Sequence, residues 1–94
     1  MALARVVTFD GVSAERMAEL RSEMESGDRP DDVPATEIVV LHDAETEQAL
    51  VVLFFESEDD YRRGDEALNA MPAGDTPGTR SSVAKYEVAT RMTA

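Results

Sequence analysis

The sequence predicts a single α+β domain over residues 1–94, with four strands and two helices in the order β-α-β-β-α-β. Two patterns indicate this fold class. Four short runs are rich in β-branched and aromatic residues, which favour strands, and two segments place apolar residues three and four positions apart, which favours helices. The length allows one hydrophobic core, and 43% hydrophobic with 31% charged residues is the composition of a folded protein.

The first strand is predicted at Leu3–Phe9, where the run LARVVTF ends at the turn-forming pair Asp10 and Gly11. Ser13 then stands where a helix N-cap belongs, because its hydroxyl can accept a hydrogen bond from a free backbone N–H of the first turn. A helix should therefore begin just after Ser13.

Apolar residues support that first helix. Val12 and Met17 are spaced for a hydrophobic staple, and Met17, Leu20 and Met24 form one apolar stripe. The stretch GDRPDDVP at residues 27–34 begins with a helix-stopping glycine and contains two prolines. It is predicted to be a loop, and the most mobile segment of the chain.

The middle of the chain predicts a hairpin and a second helix. The β-rich runs Thr36–His42 and Ala49–Phe55 are joined by DAETEQ, a connection of hairpin length. Ser57 and Asp60 resemble a capping box, which starts a helix. The residues predicted along one side of this helix, before it ends near Pro72, are Tyr61, Gly64, Ala67, Leu68 and Met71.

A proline- and glycine-rich loop at residues 72–78 precedes the last strand, which is predicted at Arg80–Arg91. Right-handed crossovers then place both helices on one face of a four-stranded antiparallel sheet. This is the ferredoxin-like arrangement, with the predicted strand order 4-1-3-2.

The run ALVVLFF at Ala49–Phe55 has apolar side chains on both faces of its strand. Strand two repeats the pattern, because Val39 and Leu41 lie opposite to Ile38 and Val40. Two helices cover one face only, so the other would expose roughly a few hundred square ångströms of apolar surface. We therefore predict a homodimer through the sheet faces, which makes a dimeric α/β barrel.

The whole chain resembles the dimeric α/β barrel superfamily that includes antibiotic biosynthesis monooxygenase-like proteins. The stretches that carry the resemblance are LHDAETEQALVVLFFESEDDYRR, ALNAMP with the proline-glycine loop after it, and SVAKYEV. The resemblance implies a small apolar or phenolic ligand between sheet and helices, and cofactor-independent monooxygenase chemistry. It transfers no catalytic residue. Oxygenases of the superfamily often use Trp and Asn, and haem-degrading members a His on the second helix, whereas this chain has no Trp, one Asn at Asn69 and one His at His42.

Three polar residues are candidates for ligand contacts. Arg5 could bind an anionic or phenolic group, His42 could act as a general base, and Tyr86 could donate a hydrogen bond to a carbonyl oxygen. Each also has a structural interpretation. Arg5 could pair with Glu87 across neighbouring strands, and His42 could be a surface or interface histidine beside the hairpin, with Asp43 pointing to the other face.

Two aromatic residues, Phe54 and Tyr61, complete the candidate ligand-binding set, because aromatic and Met side chains can line a pocket for a flat molecule. At their spacing they are also ordinary core residues. Gly64 in the second helix either allows close packing on the sheet or leaves space for a ligand.

Composition excludes several function classes. Acidic residues outnumber basic ones by 20 to 9, so nucleic acid and anionic membranes are not expected partners. No cysteine is present, and one histidine without clustered carboxylates predicts no metal site; no cofactor is predicted either. The sequence opens without a secretory leader pattern and lacks an apolar run of about 20 residues, so we expect a cytoplasmic protein.

Two functions stay open at the level of sequence. The first is a small-molecule-binding dimeric α/β barrel protein of unknown reaction, with cofactor-independent monooxygenase-like chemistry as one form of it. The alternative is a non-catalytic dimerisation or protein-interaction module with a filled core. An open cavity beneath the helices would favour the first, and a solid core the second.

Overall fold

The computed structural model describes residues 2–25, 33–70 and 78–92. The elements follow the predicted order: β1 (Leu3–Asp10), α1 (Ala14–Glu25), β2 (Glu37–Asp43), β3 (Gln48–Phe55), α2 (Glu58–Asn69) and β4 (Thr79–Glu87). The predicted ferredoxin-like β-α-β-β-α-β fold is confirmed. Three parts of the prediction lie outside the described residues: the helix stop at Gly27, the place of Met71 on the second helix, and most of the two loops.

The four strands form one antiparallel sheet in the order β2-β3-β1-β4, which is the predicted order. The pairing register of the strands determines which side chains lie on each face of the sheet. Val51 of β3 lies opposite Val7 of β1 and Val40 of β2, and these three side chains point towards the helices. The side chains one position away point to the opposite side, which we call the outer face.

Both helices begin as the sequence predicts. The Ser13 hydroxyl accepts a hydrogen bond from the Arg16 backbone N–H at 3.1 Å, and the Ser57 hydroxyl accepts one from the Asp60 N–H at 3.1 Å. Val12 is fully buried in the same apolar cluster as Met17. The N-caps and the staple fix where each helix enters the helical layer.

The last strand is shorter than predicted, since β4 ends at Glu87 rather than at Arg91. The chain leaves the sheet at this point. The Val88 N–H still donates a hydrogen bond to the carbonyl of Ala2, just before β1. Arg91 then lies over the outer face, 4.3 Å from the centre of the Phe54 ring and 3.3 Å from a Glu37 oxygen. The cation–π contact and the ion pair hold residues 88–91 across one end of the sheet.

The core lies between the sheet and the helices, in two clusters. The cluster under α2 comprises Leu3, Val33, Ala35, Leu53, Phe55 and Tyr61. The cluster under the start of α1 comprises Val7, Phe9, Val12, Met17 and Ala49.

Gly64 brings α2 close to the sheet. A Cβ at this position would lie 2.5 Å from Cε1 of Phe55, a side chain with no solvent exposure. Of the two roles left open for Gly64, the structure therefore shows close packing on Phe55.

Candidate functional site

A cavity of about 440 Å³ lies between α1 and the edge strand β2. Its lining residues come from one side of α1 and the helix-facing side of β2: Met17, Leu20, Arg21, Met24, Glu25, Val40 and His42. The volume falls within the range of about 300–1,000 Å³ that is usual for small-molecule sites.

The cavity exists because α1 packs tightly on the sheet only at its beginning. Along the apolar stripe, Met17 is 7% exposed, Leu20 is half-buried and Met24 is 40% exposed. In contrast, Tyr61 and Gly64 of α2 are both buried. The apolar side of α1 is therefore only partly used for packing, and its second half forms a cavity wall.

His42 has a defined orientation at the end of β2. Its Nε2 lies 2.8 Å from the backbone carbonyl oxygen of Val12. A carbonyl oxygen can only accept, so Nε2 carries the proton and donates. Nδ1 of the neutral ring is then a hydrogen-bond acceptor, and within the described parts of the chain no group is bonded to it. His42 thus offers the cavity an oriented acceptor, in addition to the Glu25 carboxylate at the end of α1.

The β1–α1 turn is fixed to the hairpin by three hydrogen bonds. The Val12 N–H donates to the Glu47 carbonyl at 2.7 Å, its carbonyl accepts from His42, and the Gln48 side chain donates to Asp10 at 3.2 Å. His42 therefore has a structural role as well as a place in the cavity wall. These bonds hold the start of α1 in position and so pre-form the cavity.

Asp43 does not take part in this arrangement. Its Oδ1 accepts from the backbone N–H of Glu45 at 3.0 Å and of Thr46 at 3.4 Å, within the hairpin turn. This agrees with the alternation of side chains along β2, and no carboxylate of the described residues is bonded to His42.

Arg5 lies in a different place, under α2. It is 2% exposed, and its guanidinium donates to Asp65 at 2.8 Å and to Asn69 at 3.1 Å. The register of β1 and β4 places Arg5 opposite Lys85 and Leu3 opposite Glu87. The cross-strand pair of Arg5 with Glu87 is therefore wrong, and the partner of Arg5 is a helix carboxylate.

Asn69 extends this polar cluster to β4. Its amide donates to Asp65 at 3.3 Å, and its carbonyl oxygen accepts from Arg80 at 2.7 Å. The described buried side chains include no polar atom without a hydrogen-bond partner. Because its polar groups hydrogen-bond to one another, we interpret this cluster as a structural network that holds α2 on the sheet.

Tyr61 borders the same cluster. Its ring packs edge-on against Phe55 at 5.4 Å with an interplanar angle of 67°, and Lys85 lies 5.0 Å from the ring centre. Burial, and then the negative charge of Asp65, raise the pKa of Tyr61 above its usual value. The hydrogen-bonded carboxylate of Glu58 raises the pKa of Lys85.

The remaining candidates, Phe54 and Tyr86, lie on the outer face. Phe54 is half-buried beneath Arg91, and Tyr86 is 58% exposed on the edge strand β4. The five candidate residues thus occupy three places: His42 lies at the cavity, Arg5 and Tyr61 lie between β1 and α2, and Phe54 and Tyr86 lie on the outer face.

The described residues contain no group of three or more acidic or His side chains arranged to hold a metal ion. Neither described helix is long and apolar enough to cross a membrane.

Comparison with solved structures finds a similar chain in a provisionally assigned antibiotic biosynthesis monooxygenase from Chloroflexus aurantiacus J-10-fl. The two chains are 9% identical, with a TM-score of 0.56 over 92% of this chain and 91% of the other. The two chains share their fold. At this identity the likeness shows the fold alone. At the level of the fold, it confirms the resemblance predicted from sequence. No protein-family model and no curated protein matches the chain.

Within this fold, sequence reasoning identified part of the cavity wall. The sequence offers the methionines of α1 and His42 for ligand contacts, but it does not single out Arg21, Glu25 or Val40. Helical periodicity could have indicated Arg21, because it follows Met17 by four residues and so shares its side of α1. Nothing in the sequence shows that β2, a distant segment, forms the opposite wall.

Proposed function

We propose that the protein binds a small, mainly apolar molecule in the cavity between α1 and β2. The observation that supports this is the incomplete packing of α1, which leaves an apolar wall with one oriented acceptor on His42. Apolar lining with a few placed polar groups is the usual make-up of a small-molecule site. The filled-core module would require α1 to pack on β2 along its length.

Two valine-to-phenylalanine substitutions distinguish the ligand-binding protein from the filled-core module. Val40 lines the cavity and packs against one core cluster, whereas its cross-strand partner Val51 packs against both clusters and does not line the cavity. In an open cavity Val40→Phe should leave the free energy of unfolding nearly unchanged, while Val51→Phe should lower it by about 1–3 kcal/mol through overpacking. Equal destabilisation by both would support the filled core.

Binding itself can be observed at the methionines. With ¹³C-methyl-labelled Met, a short-chain alcohol such as octanol should shift the methyl signals of Met17 and Met24. Met92 is 89% exposed and outside the lining, so its signal serves as the internal control. Val40→Phe should abolish the shifts. Octanol that moves no cavity methionine would contradict the proposed function.

We also propose that the working unit is a homodimer joined through the outer face. The side chains of this face are mostly apolar: Ala4, Val6, Thr8, Val39, Leu41, Leu50, Val52, Phe54, Ser82, Ala84 and Tyr86. Leu41 is 51% exposed. Within the described residues, this face carries no charged side chain between its two ends, where Arg91 pairs with Glu37 over Phe54 and where Asp43 ends β2, so two chains of net charge −11 can approach there.

The area is compatible with a second copy. Seven paired residues rising about 3.4 Å each, on four strands about 4.8 Å apart, span roughly 19 by 24 Å, or ~900 Å² for two copies. A corrugated surface has more accessible area than this flat estimate. The total therefore reaches the threshold of about 1,000 Å² for a specific interface.

Val52 lies at the centre of the outer face, between Val6 and Val39. Val52→Asp would bury two unpaired charges per dimer, each costing several kcal/mol, and should give a monomer of 10.3 kDa. Ala44→Asp adds the same charge in the exposed hairpin turn and should leave the dimer intact. Light scattering coupled to size exclusion measures both. A monomeric wild-type chain would contradict the dimer.

A cofactor-independent monooxygenase reaction is a finer proposal for the same cavity. Two observations support it: the fold shared with a provisionally assigned monooxygenase, and the Nδ1 acceptor of His42. His42 would take a proton from an activated CH₂ group of the substrate. The carbanion is then oxidised by O₂, which gives a ketone and one water (R₂CH₂ + O₂ → R₂CO + H₂O). Oxygen uptake with anthrone should exceed the uncatalysed rate and fall to it in His42→Gln.

A further inference from the structure

Among the cations in the described parts of the chain, Arg21 is the one with neither an ion pair nor a hydrogen bond. Every other lysine or arginine among the described residues bonds to an acidic or amide side chain: Arg5, Arg16, Arg62, Arg63, Arg80, Lys85 and Arg91. Acidic residues outnumber basic ones by 20 to 9, so unpaired carboxylates are expected in this chain. An arginine without a partner is the exception.

The position of Arg21 makes this exception informative. It follows Met17 by four residues and precedes Met24 by three, so it shares the apolar side of α1 that forms the cavity wall. Its side chain is exposed and lines the cavity. A guanidinium at an apolar cavity presents a planar pair of N–H donors that matches a carboxylate.

We propose that the cavity takes a ligand with an apolar body and a carboxylate, and that Arg21 binds the carboxylate. This inference rests on the proposed function, since it names the ligand class for the same cavity. Two of the polar groups in the wall, those of His42 and Arg21, favour different ligand groups. The lone pair on Nδ1 of His42 repels an anion and accepts from a hydroxyl, whereas Arg21 attracts the anion.

Glu25 favours the opposite charge. It also lines the cavity, and it is the last residue of α1, where the helix dipole is negative. An alkylammonium is therefore the competing ligand class. Carboxylates are in excess in this chain, so Glu25 says less about the charge of the ligand than Arg21 does. The experiment includes an amine to decide between the two ligand classes.

Octanoate, octanol and octylamine have equal chain lengths and differ in the head group. Titrated near neutral pH against ¹³C-methyl-Met protein, all three should shift Met17 and Met24, and octanoate should bind about tenfold more tightly than octanol. Arg21→Gln should abolish the preference for octanoate and leave octanol unchanged. Arg62→Gln removes the same charge from an exposed site on α2 and should keep the preference.

Each of the other outcomes would overturn the inference, and each would identify a different reason for its failure. Equal affinities for octanoate and octanol, with Met17 and Met24 still shifting, would leave the cavity as a binding site and remove the role of Arg21. Tightest binding of octylamine would assign the head group to Glu25. Loss of the preference in Arg62→Gln would show a long-range charge effect. No shift with any probe would overturn the proposed function as well.

Discussion

Gly64→Ala should destabilise the protein, although the same change normally stabilises a helix. Within a helix, Gly is less favourable than Ala by about 1 kcal/mol, so an exposed site would gain about that amount. At Gly64 the new Cβ would lie 2.5 Å from Cε1 and 2.7 Å from Cζ of Phe55. Carbon atoms pack best at about 3.5–4.0 Å, so the contact is about 1 Å too short.

Phe55 has little room to move away. Its side chain has no solvent exposure and packs edge-on against Tyr61 at 5.4 Å. Either α2 lifts from the sheet or the ring leaves its position, and such overpacking costs up to about 3 kcal/mol. Subtracting the gain in helix propensity of about 1 kcal/mol leaves a net loss of about 2 kcal/mol.

Urea unfolding followed by far-UV circular dichroism, at one fixed protein concentration, measures this loss. Glu66→Ala is the control, since Glu66 is exposed on the same helix and its change should stay within about 0.5 kcal/mol. A Gly64→Ala protein that is more stable than the wild type would refute the close-packing interpretation.

A double-mutant cycle tests whether Phe55 is the cause. Phe55→Leu removes the ring carbons that the Ala methyl meets, at a cost of roughly 1–2 kcal/mol on its own. In that background Gly64→Ala should be neutral or stabilising by up to about 1 kcal/mol, a coupling of about 2–3 kcal/mol. The same loss in both backgrounds would assign the effect to something other than this contact.

Three further predictions concern α2. Arg5→Met should lower the free energy of unfolding by about 2 kcal/mol and Asp65→Ala by about 3 kcal/mol or more. The reason is that the Arg5 side chain, 3% exposed, would be left as a buried charge, whereas the Asp65 side chain, 34% exposed, stays hydrated. Urea unfolding that gives the reverse order would contradict this. The pKa of Tyr61 is raised above 10.0, so its neutral phenol stabilises the folded state fully below about pH 10, and this contribution is lost as the pH rises through the folded-state pKa. Asp65→Asn removes a negative neighbour and should therefore lower the pKa of Tyr61. Tyrosinate absorbance measures this pKa in a Tyr86→Phe background, where Tyr61 is the remaining tyrosine. An unchanged or higher pKa would contradict the role of Asp65. Ser57→Ala should cost about 1 kcal/mol in the same unfolding assay through loss of the N-cap, and no loss would mean that water replaces the cap.

Local features of the sequence determined the elements of this fold. The caps at Ser13 and Ser57 and the β-rich runs place the helices and strands, because each depends on residues a few positions apart. The element order with right-handed crossovers then leaves few strand orders, and the predicted order is the one observed. The apolar outer face also follows from sequence, since strict alternation along β3 assigns Val52 and its neighbours to it.

Contacts between distant segments were decided only by the tertiary structure. Arg5 bonds to Asp65, sixty positions away, because the β1–β4 register puts Lys85 rather than Glu87 opposite it. The ring of Phe55 fills the space beside Gly64 because α2 lies close to the sheet. Arg21 has no partner within the described residues, because the second half of α1 does not pack on the sheet. Periodicity shows which side of α1 is apolar. How much of that side reaches β2 depends on the packing of the whole helical layer, and that packing leaves the cavity.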